Sequence, residues 1–168
     1  MRWVWLGLVI AWAAGSAQAS LSQTLPSTQG ESLSGRPIVL AEAVRNHPAL
    51  IIAGFSRAAG PACGDWDKAV RADSRLAGRA VYQMAMLEQA PSLLRGVIKS
   101  PMRKHLSTDQ QDHFVVLTQD EKLWRSYFGV TSDQDSWIVL IDASGQVLWH
   151  GHGAASNLEP LLKAALRH

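Results

Sequence analysis

The chain has 168 residues, of which 16 are Lys or Arg and 14 are Asp or Glu. Arg2 is the only charged residue among the first 19, so the remainder carries 15 basic and 14 acidic side chains and is close to neutral. A nearly neutral chain exerts no general electrostatic attraction on nucleic acid or on an anionic membrane, so we expect no nucleic-acid partner. The remaining length of about 150 residues suits a single domain with a complete hydrophobic core.

The first 19 residues have the pattern of a secretory signal peptide. Met1 and Arg2 give a positive start, an apolar run follows, and Ala17-Gln18-Ala19 is a small-x-small cleavage site. The apolar run is shorter than the roughly 20 residues that span a bilayer, which disfavours an uncleaved anchor. No Cys follows it for lipid attachment. We predict cleavage before Ser20 and export, to the periplasm if the source is a Gram-negative bacterium.

Residues 20–34 are rich in Ser, Gln, Thr and Gly, which predicts a flexible leader. The folded domain is then predicted to comprise residues 35–168. A short strand or turn at Pro37 to Leu40 precedes a helical turn that the breaker Asn46-His47-Pro48 ends.

The middle of the chain alternates predicted strands and helices. Ala49 to Phe55 is a continuous apolar run, the pattern of a central strand covered on both faces. Trp66, Ala69 and Val70 have helical spacing in the segment that follows. The further elements are a strand at 80–87 (or a helix), an amphipathic helix at 92–105 interrupted by Pro101, a strand at 113–118 and a helix at 120–128.

The last third predicts a β-hairpin and a terminal helix. Two apolar strands, 137–142 and 146–150, flank the turn Ala143-Ser144-Gly145, and a leucine-rich helix covers 157–167. This order predicts an α/β fold, a three-layer sandwich with a mixed central sheet and helices on both faces.

The order of elements resembles the thioredoxin-like superfamily, in which a central strand leads into the active-site loop W-C-G-P-C. The corresponding stretch here is Ala59-Gly60-Pro61-Ala62-Cys63, so Gly60 occupies the position of the attacking cysteine and Cys63 that of the resolving cysteine. The family's cis-proline loop would fall near Asp135 or Ser136, and neither is proline. The resemblance implies a client-binding surface at Gly60, Pro61, Asp135 and Ser136, without a working dithiol.

The stretch from about Ile38 to Leu166 is also similar to the mitochondrial ATP-synthase assembly factors and their bacterial relatives, which are thioredoxin-like without a CxxC. The shared features are Phe55-Ser56, Trp66, the basic Met102-Arg103-Lys104 and an ending with Asp142, Gly145, Trp149, Gly151 and Gly153-Ala154. This resemblance implies that the chain binds a protein partner, and the expected partners include membrane proteins.

Cys63 is the single cysteine of the chain, so an internal disulfide is excluded. It is buried and inert, paired with another molecule, or reactive. A position at a helix N-terminus lowers a thiol pKa, which favours reactivity, but a thiol–disulfide cycle also needs a second sulfur. In peroxidase relatives a Thr stands three residues before the reactive Cys, and Gly60 stands there here.

Histidine, tryptophan and basic side chains offer further candidate binding sites. His150 and His152 would leave the same face of a strand and reach one metal ion, but no third ligand is predictable, so we predict no metal site and no cofactor. Trp66 and Trp137 are predicted in the core, whereas Trp124 and Trp149 are candidates for an exposed patch. The basic run from Arg95 to Lys104 is a solvated helix face or a contact for an acidic partner or lipid head groups.

Three functional hypotheses follow. The first is an exported protein-binding or assembly module that keeps a thioredoxin-like scaffold without its dithiol, and Trp149 belongs to its predicted binding residues. The alternative is a thiol enzyme, peroxidase-like or a thiol-disulfide oxidoreductase, that uses Cys63 with a resolving thiol from another molecule. A metal or small-molecule carrier based on His150 and His152 comes last.

Overall fold

The structure is a computed structural model that describes residues 24–156 and 158–167. The predicted signal peptide lies outside the described residues. The strands are β1 (Gln29–Ser32), β2 (Pro37–Val39), β3 (Ala49–Gly54), β4 (Ala80–Met86), β5 (Phe114–Leu117), β6 (Ser136–Ile141) and β7 (Val147–His152). The helices are α1 (Leu40–Ala43), α2 (Gly60–Ala72), α3 (Ser92–Arg103), α4 (Thr108–Asp112), α5 (Glu121–Phe128) and α6 (Glu159–Ala165).

The strands form one mixed sheet in the order β2-β1-β5-β4-β3-β6-β7. β3, β4 and β5 run parallel, while β6 lies antiparallel to β3 and forms the predicted hairpin with β7. The predicted mixed α/β sheet is therefore confirmed, and the segment 80–87 is a strand rather than a helix.

Helices cover both faces of β3, which is why its sequence is apolar throughout. Ile51 shares a buried cluster with Leu40 of α1 and Trp124 of α5. On the other face, Ile52 shares a cluster with Trp66 of α2 and with side chains of α6. The two clusters are the two cores of a three-layer sandwich, with the sheet between them.

Residues 24–34 differ from the predicted flexible leader. They include β1, which pairs with β2 and β5, and Leu33 is fully buried. Their polar composition serves the fold: the Thr28 hydroxyl donates to Asp120 Oδ2 at 2.8 Å and accepts from Trp124 Nε1 at 3.0 Å. The domain therefore includes residues before Gly35.

Among residues 24–156 and 158–167, no helix combines the length and apolarity that crossing a membrane requires.

Candidate functional site

The candidate site lies where β3 ends and α2 begins. Ser56 ends the extended segment, and its hydroxyl accepts from the Ala58 backbone N–H at 3.1 Å, which starts a 3₁₀ turn at Arg57–Ala59. α2 follows at Gly60, with Pro61 in its first turn, where a missing N–H costs nothing. Gly60 and Pro61 are both exposed, so the position that the sequence alignment compares with an attacking cysteine is open to solvent and carries no sulfur.

Hydrogen bonds join three chain segments around this position. Ser56 Oγ donates to the Asp133 carbonyl at 2.5 Å. The Gly153 carbonyl accepts from Trp66 Nε1 at 2.8 Å and from Ser136 Oγ at 2.7 Å. We call segments 56–61, 132–136 and 151–153 together the loop junction. These bonds hold the three segments of the loop junction in one arrangement.

Cys63 lies under the loop junction, not on it. It is the fourth residue of α2, only 7% exposed, and shares the buried cluster of Ile52 and Trp66. A Cβ at Gly54 would lie 3.2 Å from its sulfur, so the thiol is held close to the backbone of β3. Burial raises the pKa of Cys63 to about 12, against a smaller lowering by a backbone hydrogen bond.

The expectation that the helix N-terminus lowers the pKa of Cys63 is therefore wrong. The thiol points into the core, and loss of hydration disfavours the thiolate more than the backbone hydrogen bond favours it. At neutral pH Cys63 is a protonated, inaccessible thiol.

Asp135 and Ser136, the two residues predicted near the family's cis-proline position, differ in exposure. Ser136 is fully buried, pairs with Gly54 in the sheet and has its hydroxyl bonded to Gly153. Asp135 reaches the surface, with its Oδ2 atom 3.3 Å from His152 Nδ1. The His152 ring in turn stacks on Trp137, with centroids 4.6 Å apart. Asp135 and His152 thus form one polar contact within the loop junction.

The tryptophans differ in burial. Trp66 and Trp137 are buried, as predicted, and Trp137 Nε1 donates to the Ser132 carbonyl at 3.1 Å. Trp149 is half-buried, with its ring 6.3 Å from that of Trp66 and lying over Gly151, where a Cβ would come within 2.4 Å of the indole. The prediction that Trp124 belongs to an exposed patch is wrong, because α5 turns it into the core.

A charged network that the sequence analysis did not identify borders the loop junction. Arg125 donates to buried Glu121 at 2.7 Å and to Asp133 at 2.6 Å, and it lies 5.2 Å from the centroid of the Phe55 ring. The hydrogen bond from Arg125 holds the pKa of Asp133 below its usual range. Gln89 also donates to Glu121, at 3.0 Å. The spacing of four between Glu121 and Arg125 was the available signal.

His150 and His152 both lie on β7, where His150 is opposite Val139 of β6 and His152 is opposite Trp137. His150 is exposed, while His152 is engaged by Trp137 and Asp135. Within the part of the chain that the structure describes, no three potential metal ligands come together.

No protein-family model matches the chain, and no curated protein matches it. Several solved protein structures, however, are similar to the structure of this chain. A thioredoxin-family thiol:disulfide interchange protein from Chlorobium tepidum has 19% identity and a TM-score of 0.54, with 86% of this chain and 97% of that chain covered. The exposed lipoprotein thioredoxin Etrx1 of Streptococcus pneumoniae has 11% identity and a TM-score of 0.58, with 85% and 100% covered.

BsSco, a member of the Sco family of cytochrome c oxidase assembly proteins, has 14% identity and a TM-score of 0.58, with 88% of this chain and 94% of that chain covered. At sequence identities of 11% to 19%, the similarity to these structures shows the fold of the chain alone. The chain has a thioredoxin-like fold, and its single cysteine leaves it without a dithiol.

Proposed function

We propose that the protein is an exported protein-binding or assembly module that uses the thioredoxin-like scaffold without redox chemistry. The observation that carries the proposal is the state of Cys63. The thiol is buried and protonated, and the exposed position three residues earlier is Gly60. The chain thus keeps the loop at which thioredoxin-like proteins meet clients and lacks the sulfur that would react there.

The loop junction supports binding in place of catalysis. Its backbone is fixed by the bonds of Ser56, Ser136 and Gly153, so little conformational entropy is lost when a partner docks. Gly60 and Pro61 let a partner backbone approach closely, and Asp135 with His152 supplies a polar contact that selects among partners.

The assembly role and the kind of client belong to the same proposal. The resemblance to the ATP-synthase assembly factors and the similarity to a Sco-family assembly protein support a client that is itself a membrane protein. Export rests on the signal-peptide pattern of residues 1–19.

The alternative thiol enzyme needs an accessible thiolate at Cys63. The low exposure of Cys63 and its pKa of about 12 oppose that role.

Photocrosslinking in the exporting cell tests the proposal. A crosslinking amino acid placed at Pro61 or at Asp135 should give the same protein adduct. Ser144 is the matched control, because it is exposed at the opposite end of β6. The adduct should persist when Cys63→Ala is combined with either position. Equal labelling from Ser144, or loss of the adduct with Cys63→Ala, would contradict a binding surface that works without the thiol.

A further inference from the structure

α3 carries an apolar face that the domain does not cover. Leu93 is 91%, Val97 69% and Leu94 50% exposed, and within the described residues α3 contains no fully buried side chain. The spacing of these three residues places them on one side of the first two turns, and we call them the α3 patch. Clustered aliphatic side chains of this size in water indicate a contact surface, not a solvated face.

The charged side chains of α3 itself are all basic. Residues 92–105 contain four basic residues and no acidic residue. Lys99 pairs with Glu31 at 2.9 Å and Arg95 donates to the Glu88 carbonyl at 3.2 Å, so these two hold the helix on the domain. Lys104 is exposed and follows Leu93 by eleven residues, three full helical turns, so it extends the same side of the helix.

A bilayer interface fits this surface better than a protein does. The aliphatic side chains protrude from a convex helix, and a protein partner would have to offer a matching cavity for each of them. A fluid headgroup region accommodates protruding aliphatic groups without such a cavity, and anionic phosphates attract the lysine at the end of the patch. The near neutrality of the whole chain does not oppose this, because the attraction is local.

We propose that the α3 patch docks on the surface of an anionic phospholipid bilayer, with Leu93, Leu94 and Val97 at the boundary between headgroups and acyl chains and Lys104 on the lipid phosphates. The proposal does not rest on the protein-binding function of the loop junction. It would place the domain against a membrane with α3 as the contacting helix.

Co-sedimentation with lipid vesicles tests this, on the chain that begins at Ser20 and so contains every described residue. Vesicles of phosphatidylcholine with added phosphatidylglycerol should bind the protein, and binding should weaken with salt and on phosphatidylcholine alone. The double variant Leu93→Ser/Val97→Ser should bind at least about tenfold more weakly. Lys104→Glu should also weaken binding.

Matched controls lie elsewhere on the surface. Leu123 and Leu166 are 53% and 64% exposed, so Leu123→Ser and Leu166→Ser remove comparable apolar side chains without touching α3. Lys122→Glu reverses an exposed charge on α5. These variants should bind vesicles as the parent does, and thermal unfolding should show that all variants are folded.

Three results would overturn the proposal. They are absence of vesicle binding, equal loss of binding in the control variants, and a dimer in light scattering that Leu93→Ser/Val97→Ser dissolves. The last result would assign the α3 patch to contact between two copies. None of them bears on crosslinking at Pro61 and Asp135.

Discussion

Burial of the Cys63 thiol should make the folded protein less stable as the pH becomes alkaline. The thiol pKa rises from an ordinary 9.0 to about 12 on folding, so between these values the folded protein keeps a proton that the unfolded chain has lost. The stabilisation is complete below pH 9 and is lost as pH rises towards 12. The free energy of unfolding should therefore fall by up to about 1.4 kcal/mol per pH unit more steeply than in Cys63→Ala.

Urea unfolding of both proteins across this pH range measures the difference. Parallel pH profiles would show that Cys63 is solvated in the folded state. Slow alkylation in the folded protein and fast alkylation in urea provide an independent check.

Trp137 and Trp149 should differ in their contribution to stability. Trp137 is buried, bonds the Ser132 carbonyl and stacks on His152, whereas Trp149 is half-buried beside Trp66. Trp137→Ala should cost about 3–5 kcal/mol and Trp149→Ala distinctly less. Denaturant unfolding of the two variants measures the loss of stability in each. A larger loss at Trp149 would show that this residue belongs to the core and not to the proposed binding surface.

At the scale of elements, the pairing of β1 with β5 depends on one glycine. A Cβ at Gly30 would lie 2.6 Å from Leu117 Cδ2 and 2.9 Å from the Val116 carbonyl oxygen. We expect Gly30→Ala to destabilise the domain by about 1–3 kcal/mol, because a backbone atom cannot yield as a side chain can. Chemical denaturation measures the change.

Gly64 supplies the matched control. It lies inside α2 and an added Cβ would meet nothing within 4 Å. Gly64→Ala should stabilise by about 0.5–1 kcal/mol through helix propensity. If Gly30→Ala did not destabilise the domain, the close contact at β1 would be absent in solution.

The elements that the sequence predicted well are those whose own composition determines them. β3 and β6 are buried on both faces, so their apolar runs showed them directly. β1 was missed because its residues are polar, and the information that makes it a strand lies in β5, its distant partner. α4 was also missed, although Ser107 and Gln110 form a capping box there.

At the candidate site, the sequence predicted the turn and helix that follow β3, but not which side chains the fold brings together there. The alignment of Gly60 and Cys63 placed the loop correctly at the start of α2. Cys63 stands three residues before Trp66 and seven before Val70, so helical spacing already places it on the buried face of α2. Its position at the helix N-terminus led instead to the wrong expectation of a lowered pKa. The contacts of Arg125 with Asp133 and Phe55 arise only when α5 meets the loop junction.

For the whole molecule, the missing second sulfur predicts the absence of dithiol activity. The protein should reduce insulin with dithiothreitol no faster than background. Gly60→Cys should raise the rate, since it adds an exposed thiol three residues before Cys63 where a new Cβ meets nothing within 4 Å.

Gly60→Ser is the control for that substitution and should stay at background. Activity of the unaltered protein that Cys63→Ser abolishes would contradict the proposed non-catalytic function. Inactivity of a folded Gly60→Cys variant would contradict the alignment of this loop with the dithiol loop of thioredoxin-like proteins.

The position of β1 also affects the order in which the chain folds. Glu31 pairs with Val116, and Thr28 bonds Trp124 across 96 residues, so β1 and the residues before it depend on partners much later in the chain. Contacts of such long range slow folding, because a large loop must close before they form. Until residues 114–128 have emerged, the β1–β2 hairpin has an open edge and Leu33 has no core to enter. The sheet therefore cannot be completed segment by segment from its N-terminal side, and residues 114–128 determine when β1 can pair with β5.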